Sequence, residues 1–382
     1  MAERASTLIS IRRGLSANNI KLLSRLRKNI YHDDPNWIAP LPSQIALSYS
    51  ADHPYLLRGK SDLFIVLLGD TPVAAAMTFF DDQSAAACGN HSAYFSGFEC
   101  VNDVAIAERL IAALQGWAKE QGARELLGPM SPRLSDPRGV LIEGDGPPIF
   151  GMAYSPNYYD QLLSSVGFGK AIDLFEFIVK NEPEYPRLEK VANLAKRRFP
   201  GLRLRPFDLD NMEREFAAMA EIYNQAWRSN WGFMPLDVKE FLHTAGGLKR
   251  ILGPACAVFV EIDGRPVGFQ IVVPNINSAI KAIKSKLWPF GFLRLKSLIS
   301  KEKTFRALFI GVLPQYRKTG IEAILIQSGL ATGAEQFHIG WVLENNFAWK
   351  SEIENITGGK LGIKKYRIYR RACEEQSIEK AA

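Results

Sequence analysis

The segment Arg317-Lys-Thr-Gly320-Ile-Glu322-Ala323 is the part of this 382-residue chain best suited to chemistry. It follows the apolar run Leu308-Phe-Ile-Gly-Val312 through Leu313-Pro-Gln-Tyr316, and it leads into Ile324-Leu-Ile-Gln-Ser-Gly-Leu330. That order predicts a strand, a cationic glycine turn and a helix. Such a turn aims backbone N–H groups and a helix N-terminus at a phosphate. Arg317 and Lys318 would offset phosphate charge, Gly320 would permit close backbone approach, and Thr319, Ile321, Glu322 and Ala323 would add N–H donors. A group carrier built on a pyrophosphate, such as coenzyme A, suits these residues. The competing reading is an ordinary strand–helix turn with solvated cations.

The elements that would position this turn occur twice. Phe64-Ile-Val-Leu-Leu-Gly-Asp-Thr-Pro-Val73 and Val258-Phe-Val-Glu-Ile-Asp-Gly-Arg-Pro-Val267 both read as strand, tight turn, strand, offset by 194 residues without a gap. A further strand follows each hairpin, Ala93–Val101 and Phe305–Leu313. Then come a helix, Ile106–Glu120 or Ile321–Gln336, and a strand, Glu125–Gly128 or His338–Leu343. A second helix and closing strand end each copy: Tyr158–Val166 with Ile172–Val179, and Phe347–Ile356 with Tyr366–Arg371. Two copies of one α/β unit are the simplest reading. The boundaries are residues 1–185, residues 200–372 and a tail, 373–382, with the join inside the Pro-, Arg- and Lys-rich stretch Asn181–Pro206. The first copy has no glycine between Gly97 and Gly116, so it lacks the anion-binding turn.

Composition excludes several classes. No apolar run reaches the length of a membrane span, and no secretory signal is expected at the N-terminus. Four scattered cysteines without a CxxC and five scattered histidines predict a reducing, cytoplasmic setting and no metal site. The net charge of +7 is uneven: residues 1–180 carry 16 Lys+Arg against 19 Asp+Glu, and residues 181–382 carry 31 against 21. The second copy holds extra residues between its hairpin and next strand, and these contain Lys281–Lys301. There Trp288, Phe290, Phe292 and Leu293 interleave with lysines, and Pro289 and Gly291 break the segment into two short helical pieces. Cations mixed with Trp and Phe are the composition of an interfacial anchor on an anionic membrane. A lid over an acyl chain and a grip on RNA are the rival readings.

Taken together, strand, Val312-Leu-Pro-Gln-Tyr-Arg317, Gly320, Glu344-Asn-Asn-Phe-Ala348 and Gly358-Gly359 resemble the GNAT superfamily (Gcn5-related N-acetyltransferases), in tandem. Its turn pattern, R/Q-x-x-G-x-G/A, is met at Arg317 and Gly320 and departed from at Glu322. The wider chain, from about residue 25 to 371, resembles a bacterial group of two-lobed GNAT proteins that includes ceramide synthases. Asp33-Asp-Pro-Asn-Trp37, Gly97-Phe-Glu99, Gly128-Pro-Met-Ser-Pro132, Tyr154-Ser-Pro-Asn-Tyr-Tyr159 and Asn230-Trp-Gly-Phe-Met-Pro235 carry that likeness.

The resemblance implies an α/β fold: a tandem duplication of a mixed, mostly antiparallel sheet flanked by helices. It also implies acyl-CoA-dependent N-acylation. Two parallel strands, Phe305–Leu313 and His338–Leu343, would splay and admit the pantetheine arm. The Val312 N–H would stabilise the oxyanion, with Leu313 beside it. Glu344 would accept the amine proton directly or through water, with Glu261 a competing base and His338 structural. Asn345 and Asn346 would orient pantetheine or cap the next helix. Where relatives place a tyrosine as acid, this chain has Glu352. Asn230, Trp231 and Phe233 would line the acceptor site. Tyr154, Tyr158 and Tyr159 read as packing. The implied acceptor is a lipid-like amine of the sphingoid kind, met by a protein peripheral on the inner membrane through Lys281–Lys301. Nucleic acid is disfavoured because the pyrophosphate turn would be idle with tRNA, though aminoacyl-tRNA-dependent transfer, small-amine acylation and a non-catalytic membrane-binding role remain the alternatives.

Overall fold

A computed structural model of the protein describes residues 9–50, 52–133, 136–182, 184–248, 256–357, 359 and 361–373. The expected tail from 374 onward, the first eight residues, Gly358 and the side chains of Ala348 and Glu352 lie outside the described residues.

The strands are β1 (Ile9–Arg13), β2 (Lys60–Leu68), β3 (Thr71–Phe80), β4 (Ser92–Cys100), β5 (Glu125–Gly128), β6 (Val140–Glu143), β7 (Gly169–Lys180), β8 (Leu202–Pro206), β9 (Ala257–Ile262), β10 (Arg265–Pro274), β11 (Thr304–Val312), β12 (Gln336–Leu343) and β13 (Gly362–Ala372). The helices are α1 (Ala17–Ile30), α2 (Pro42–Ser48), α3 (Pro54–Arg58), α4 (Asp82–Ala85), α5 (Val104–Glu120), α6 (Tyr159–Ser165), α7 (Pro186–Arg198), α8 (Met212–Ala226), α9 (Val238–Leu248), α10 (Ile276–Ala282), α11 (Gly291–Ile299), α12 (Ile321–Leu330) and α13 (Phe347–Thr357).

The duplication is visible strand by strand. β2–β3 and β9–β10 are the paired hairpins, and the tight turn of the second uses Asp263 and Gly264, both at positive φ. α5 begins where the Asp103 carboxylate accepts the N–H groups of Ala105 and Ile106. It then buries Ile106, Leu110, Ile111, Leu114 and Trp117 on one face, against β2 and β3. The predicted helix from Ile321 ends at Leu330 rather than Gln336, because Gly333 turns the chain and β12 begins at Gln336.

All thirteen described strands form one sheet, in the order β1-β2-β3-β4-β5-β13-β7-β12-β11-β10-β9-β8, with β6 on β13. The closing strands are exchanged. β13, from the C-terminal half, pairs with β5, and β7, from the N-terminal half, pairs with β12. β7 and β13 pair with each other along most of their length. Two units in sequence are therefore one sheet in space, and the join near residues 181–206 is not a break in the ladder.

Only two pairings among the described strands are parallel, and both are short. β4 meets β5 at Ser92–Tyr94 and Glu125–Leu127, and β11 meets β12 at Thr304–Ala307 and Gln336–Ile339. Beyond Ala307 and Ile339 the second pair diverges, leaving a gap at the middle of the sheet's second half.

Candidate active site

The gap exposes a strand edge. Leu313 N–H donates to Val267 O at 2.9 Å, across β10. In an antiparallel ladder successive residues face opposite sides. The N–H groups of Val312 and Ile310, paired in register with Gly268 and Gln270, are thus turned away from β10 and into the gap. The first half gives the same geometry a visible partner. There Val101 N–H donates to Val73 O at 3.0 Å, and Cys100 N–H, turned the other way, donates to the Tyr159 hydroxyl at 2.9 Å. Tyr158 hydroxyl donates to Cys100 O at 2.8 Å. The tyrosines read as packing thus fill the first half's gap with hydroxyls.

A cavity of about 1500 Å³ opens onto the second gap and runs between the two halves of the sheet. It is lined on the strand side by Ala307–Val312 and Gly340–Leu343, and on the helix side by Tyr223, Trp227 and Phe241. The volume exceeds the roughly 300–1,000 Å³ of ordinary small-ligand pockets. Asn230, Trp231 and Phe233 all line it, with the Phe233 ring 5.8 Å from that of Tyr223.

One end of the cavity carries Arg317, Lys318, Glu322 and Ala323, with Arg187 from α7 added by the fold. This end has the cations that a pyrophosphate needs, but the turn differs from the expected cradle in four ways. Gly320 is left-handed at φ +94°, and a Cβ there would stand 2.8 Å from Val191 O and 3.0 Å from Ala195 Cβ. Its close backbone approach is to α7. Lys318 N–H is accepted by the Glu322 carboxylate at 3.3 Å, so the side chain that replaces the family's small residue takes one of the turn's donors. Arg317 donates to Ala226 O, and Thr319 hydroxyl to Tyr316 O at 2.6 Å. Ile321 is fully buried in the core and Leu313 is spent on the ladder. The groups here that could hold a pyrophosphate are Arg187, Arg317 and Lys318, and Glu322 already accepts the Lys318 N–H.

Glu344 is ion-paired. Its carboxylate accepts from Lys170 Nζ at 2.6 Å, and it follows directly on β12 between Leu343 and Asn346, which line the cavity where Glu344 itself does not. Glu261 is likewise paired, with Arg205 Nε at 2.6 Å, outside the cavity. Asn345 is exposed. Asn346 lines the cavity, and its Oδ1 accepts Trp349 N–H at 3.4 Å at the start of α13. His338 is buried, its Nδ1 2.5 Å from Glu176 Oε1, and Tyr366 hydroxyl donates to Glu176 Oε2 at 2.6 Å.

Sequence reasoning missed Glu240. It lines the cavity from α9, forms an ion pair with Arg58 Nη2 at 2.9 Å across the two halves, and burial pushes its carboxyl up to about 7 against the pull of Arg58. No motif marks it, because its partner comes from a helix nearly two hundred residues earlier. It also missed Arg306, almost wholly buried. Burial lowers this guanidinium to about 10, its Nη atoms donate to Phe150 O at 2.8 Å and Gly340 O at 3.1 Å, and it lies over the Trp341 ring. Arg306 thereby ties the first half to the strand where the gap begins.

The whole of this fold superposes on known structures. The chain has the tandem GNAT fold. A tandem GNAT protein from the clavulanic acid biosynthesis pathway superposes with a TM-score of 0.58 at 10% identity, covering 96% of this chain and 99% of that one. A GCN5-related N-acetyltransferase from Sphaerobacter thermophilus gives 0.53 at 12% identity, covering 96% of each. In sequence, the chain is 27% identical over 372 residues to the protein YghO of Escherichia coli K12, covering 94% of both chains. It is 28% identical over 353 residues to a bacterial ceramide synthase of Caulobacter vibrioides, covering 89% of this chain and 91% of that protein. No family model matches the chain.

Proposed function

We propose that this protein is an N-acyltransferase that moves a long-chain acyl group from acyl-CoA to a lipid-like amine, of the sphingoid-base kind. The observation that carries this reading is the contrast between the two gaps. In the first, Tyr159 takes the Cys100 N–H; in the second, the Val312 and Ile310 N–H groups face a cavity roomy enough for hydrocarbon. The resemblance to the Caulobacter ceramide synthase supports the lipid-like acceptor.

On this reading the pantetheine arm pairs with the exposed edge of β11, and the thioester carbonyl oxygen accepts from the Val312 or Ile310 N–H. Asn230, Trp231 and Phe233 border the acceptor. The amine nitrogen attacks the carbonyl carbon and the C–S bond breaks. The amine's proton passes to Glu240, whose raised pKa suits a base near neutrality, and the thiolate leaves as free CoA by taking up that proton. Holding both partners in one groove supplies the orientation.

The test is direct. Purified protein incubated with long-chain acyl-CoA and sphinganine should release free CoA thiol and an N-acyl product seen by mass spectrometry. Neither acyl-CoA binding nor product across a range of chain lengths would sink the proposal.

A further inference from the structure

The segment between β10 and β11 has two faces of opposite character. Its inner face is core: Ile276, Ala279, Ile280, Ile283, Leu295 and Ile299 are buried together with Leu41. It is pinned to the first half by Ser285 hydroxyl donating to Ala39 O at 2.6 Å, Lys281 Nζ to Pro35 O at 2.5 Å and Asn277 Nδ2 to Pro148 O at 3.0 Å. Its outer tip is apolar and bare. Trp288 is 88% exposed, Phe290 75% and Leu293 68%. Isolated exposed apolar residues are ordinary, but three large ones on one short turn are not.

Charge rings this tip. Lys284, Lys286, Arg294, Lys296 and Lys301 are all exposed. The segment's one acid, Glu302, sits at its end and accepts from the N–H groups of Lys303 and Thr304. Nothing within the segment neutralises the cations. Aromatic residues at the level of a polar–apolar boundary, flanked by unneutralised lysines, match an anionic lipid leaflet in chemistry and charge sign. No helix among the described residues is long and apolar enough to cross a membrane, so such contact is superficial.

The segment's inner core reaches the cavity. Ile38 and Leu41 from the first half, and Ile276 and Ile280 from α10, line the cavity and belong to the same apolar cluster as Ile283, Leu287, Leu295 and Ile299, the residues that flank the tip in the chain. We propose that the Trp288–Leu293 tip docks on an anionic phospholipid surface, and that the apolar layer beneath it admits a lipid chain from the leaflet into the cavity. The docking surface stands on its own. The delivery role rests on the acyl-transfer reading above. RNA is the disfavoured occupant, because a phosphodiester backbone gains nothing from three bare apolar side chains clustered without a groove.

The full chain is mixed with phosphatidylcholine vesicles, with and without phosphatidylglycerol, and sedimented. Binding should be at least about tenfold stronger with the anionic lipid and should weaken with salt. The variant Trp288→Ser/Phe290→Ser/Leu293→Ser removes side chains that leave the core untouched, and it should keep the wild-type unfolding temperature and lose vesicle binding. Lys284→Glu/Lys286→Glu/Lys296→Glu should lose the preference for anionic lipid. Unchanged vesicle binding in the serine variant overturns the docking surface, and so does salt-sensitive RNA binding without vesicle binding. Delivery is read separately: the serine variant should turn over vesicle-borne acceptor slowly and a water-soluble short-chain amine at the wild-type rate. Equal loss on both acceptors, or on neither, overturns delivery. If the wild type shows no turnover with any acceptor, the acyl-transfer reading fails and the vesicle result still decides docking.

Discussion

Tyr159 hydroxyl accepts the Cys100 N–H at 2.9 Å, and so occupies in the first half the donor that Val312 leaves facing the cavity in the second. The same hydroxyl donates to Glu99 Oε2 at 3.1 Å, and Glu99 is held by Arg27 Nε at 2.9 Å and Tyr31 hydroxyl at 3.1 Å. A buried carboxylate, a guanidinium and two tyrosines thus form a hydrogen-bonded network over the first half's strand edge, and the Val312 edge of the other copy has no such network across it among the described residues.

Tyr159→Phe should leave the Cys100 N–H and one Glu99 lone pair without a partner inside the core. The expected cost is about 1–3 kcal/mol of stability, read as a lower urea midpoint. Because Phe keeps the edge contact with Phe98, a loss much larger than this would mean that packing rather than the hydroxyl was at stake.

Glu322 accepts the Lys318 N–H, a donor that a bound pyrophosphate would need. Glu322→Gln removes a negative charge from the α12 N-terminus and should tighten acyl-CoA binding by about tenfold, or about 1.4 kcal/mol, by calorimetry. Gly320 is unsuited to testing the same site. Gly320→Ala forces a Cβ against Val191 O at positive φ, and it should cost about 1–3 kcal/mol in thermal unfolding whether or not CoA binds there.

Glu240 must be ionised to accept a proton. With its carboxyl near 7, kcat in the wild type should rise with pH through that region and level off above it. Glu240→Gln should lower kcat by about 10²-fold and abolish that limb, with little change in KM for acyl-CoA. A limb that persists in the variant would assign the base elsewhere.

Asp173 reports on the joined sheet. Burial alone would raise its carboxyl. Hydrogen bonds from Arg367, Lys170 and Lys365 override this and hold it at about 2. Its folded value lies below the unfolded value of about 3.9, so its stabilisation is present above pH 4 and is lost as pH falls through 2. Asp173→Asn should therefore be less stable than wild type at neutral pH and converge with it in acid, followed by circular dichroism.

The sequence by itself determined the repeat and most of its elements. Turn pairs such as Asp263-Gly264 and the apolar spacing of α5 are local signals, and local signals survive without tertiary context. The Lys281–Lys301 insert was equally legible, because its composition contrasts with everything around it. The tertiary structure decided what depends on long-range partners. It exchanged β7 and β13 between halves. It gave Gly320 to the packing of α7, and it paired Glu344 with Lys170. It also set Glu240 against Arg58, where burial raises its pKa. Desolvation and ion pairing depend on which distant residues surround a carboxyl, so no reading of spacing along the chain could have singled out Glu240.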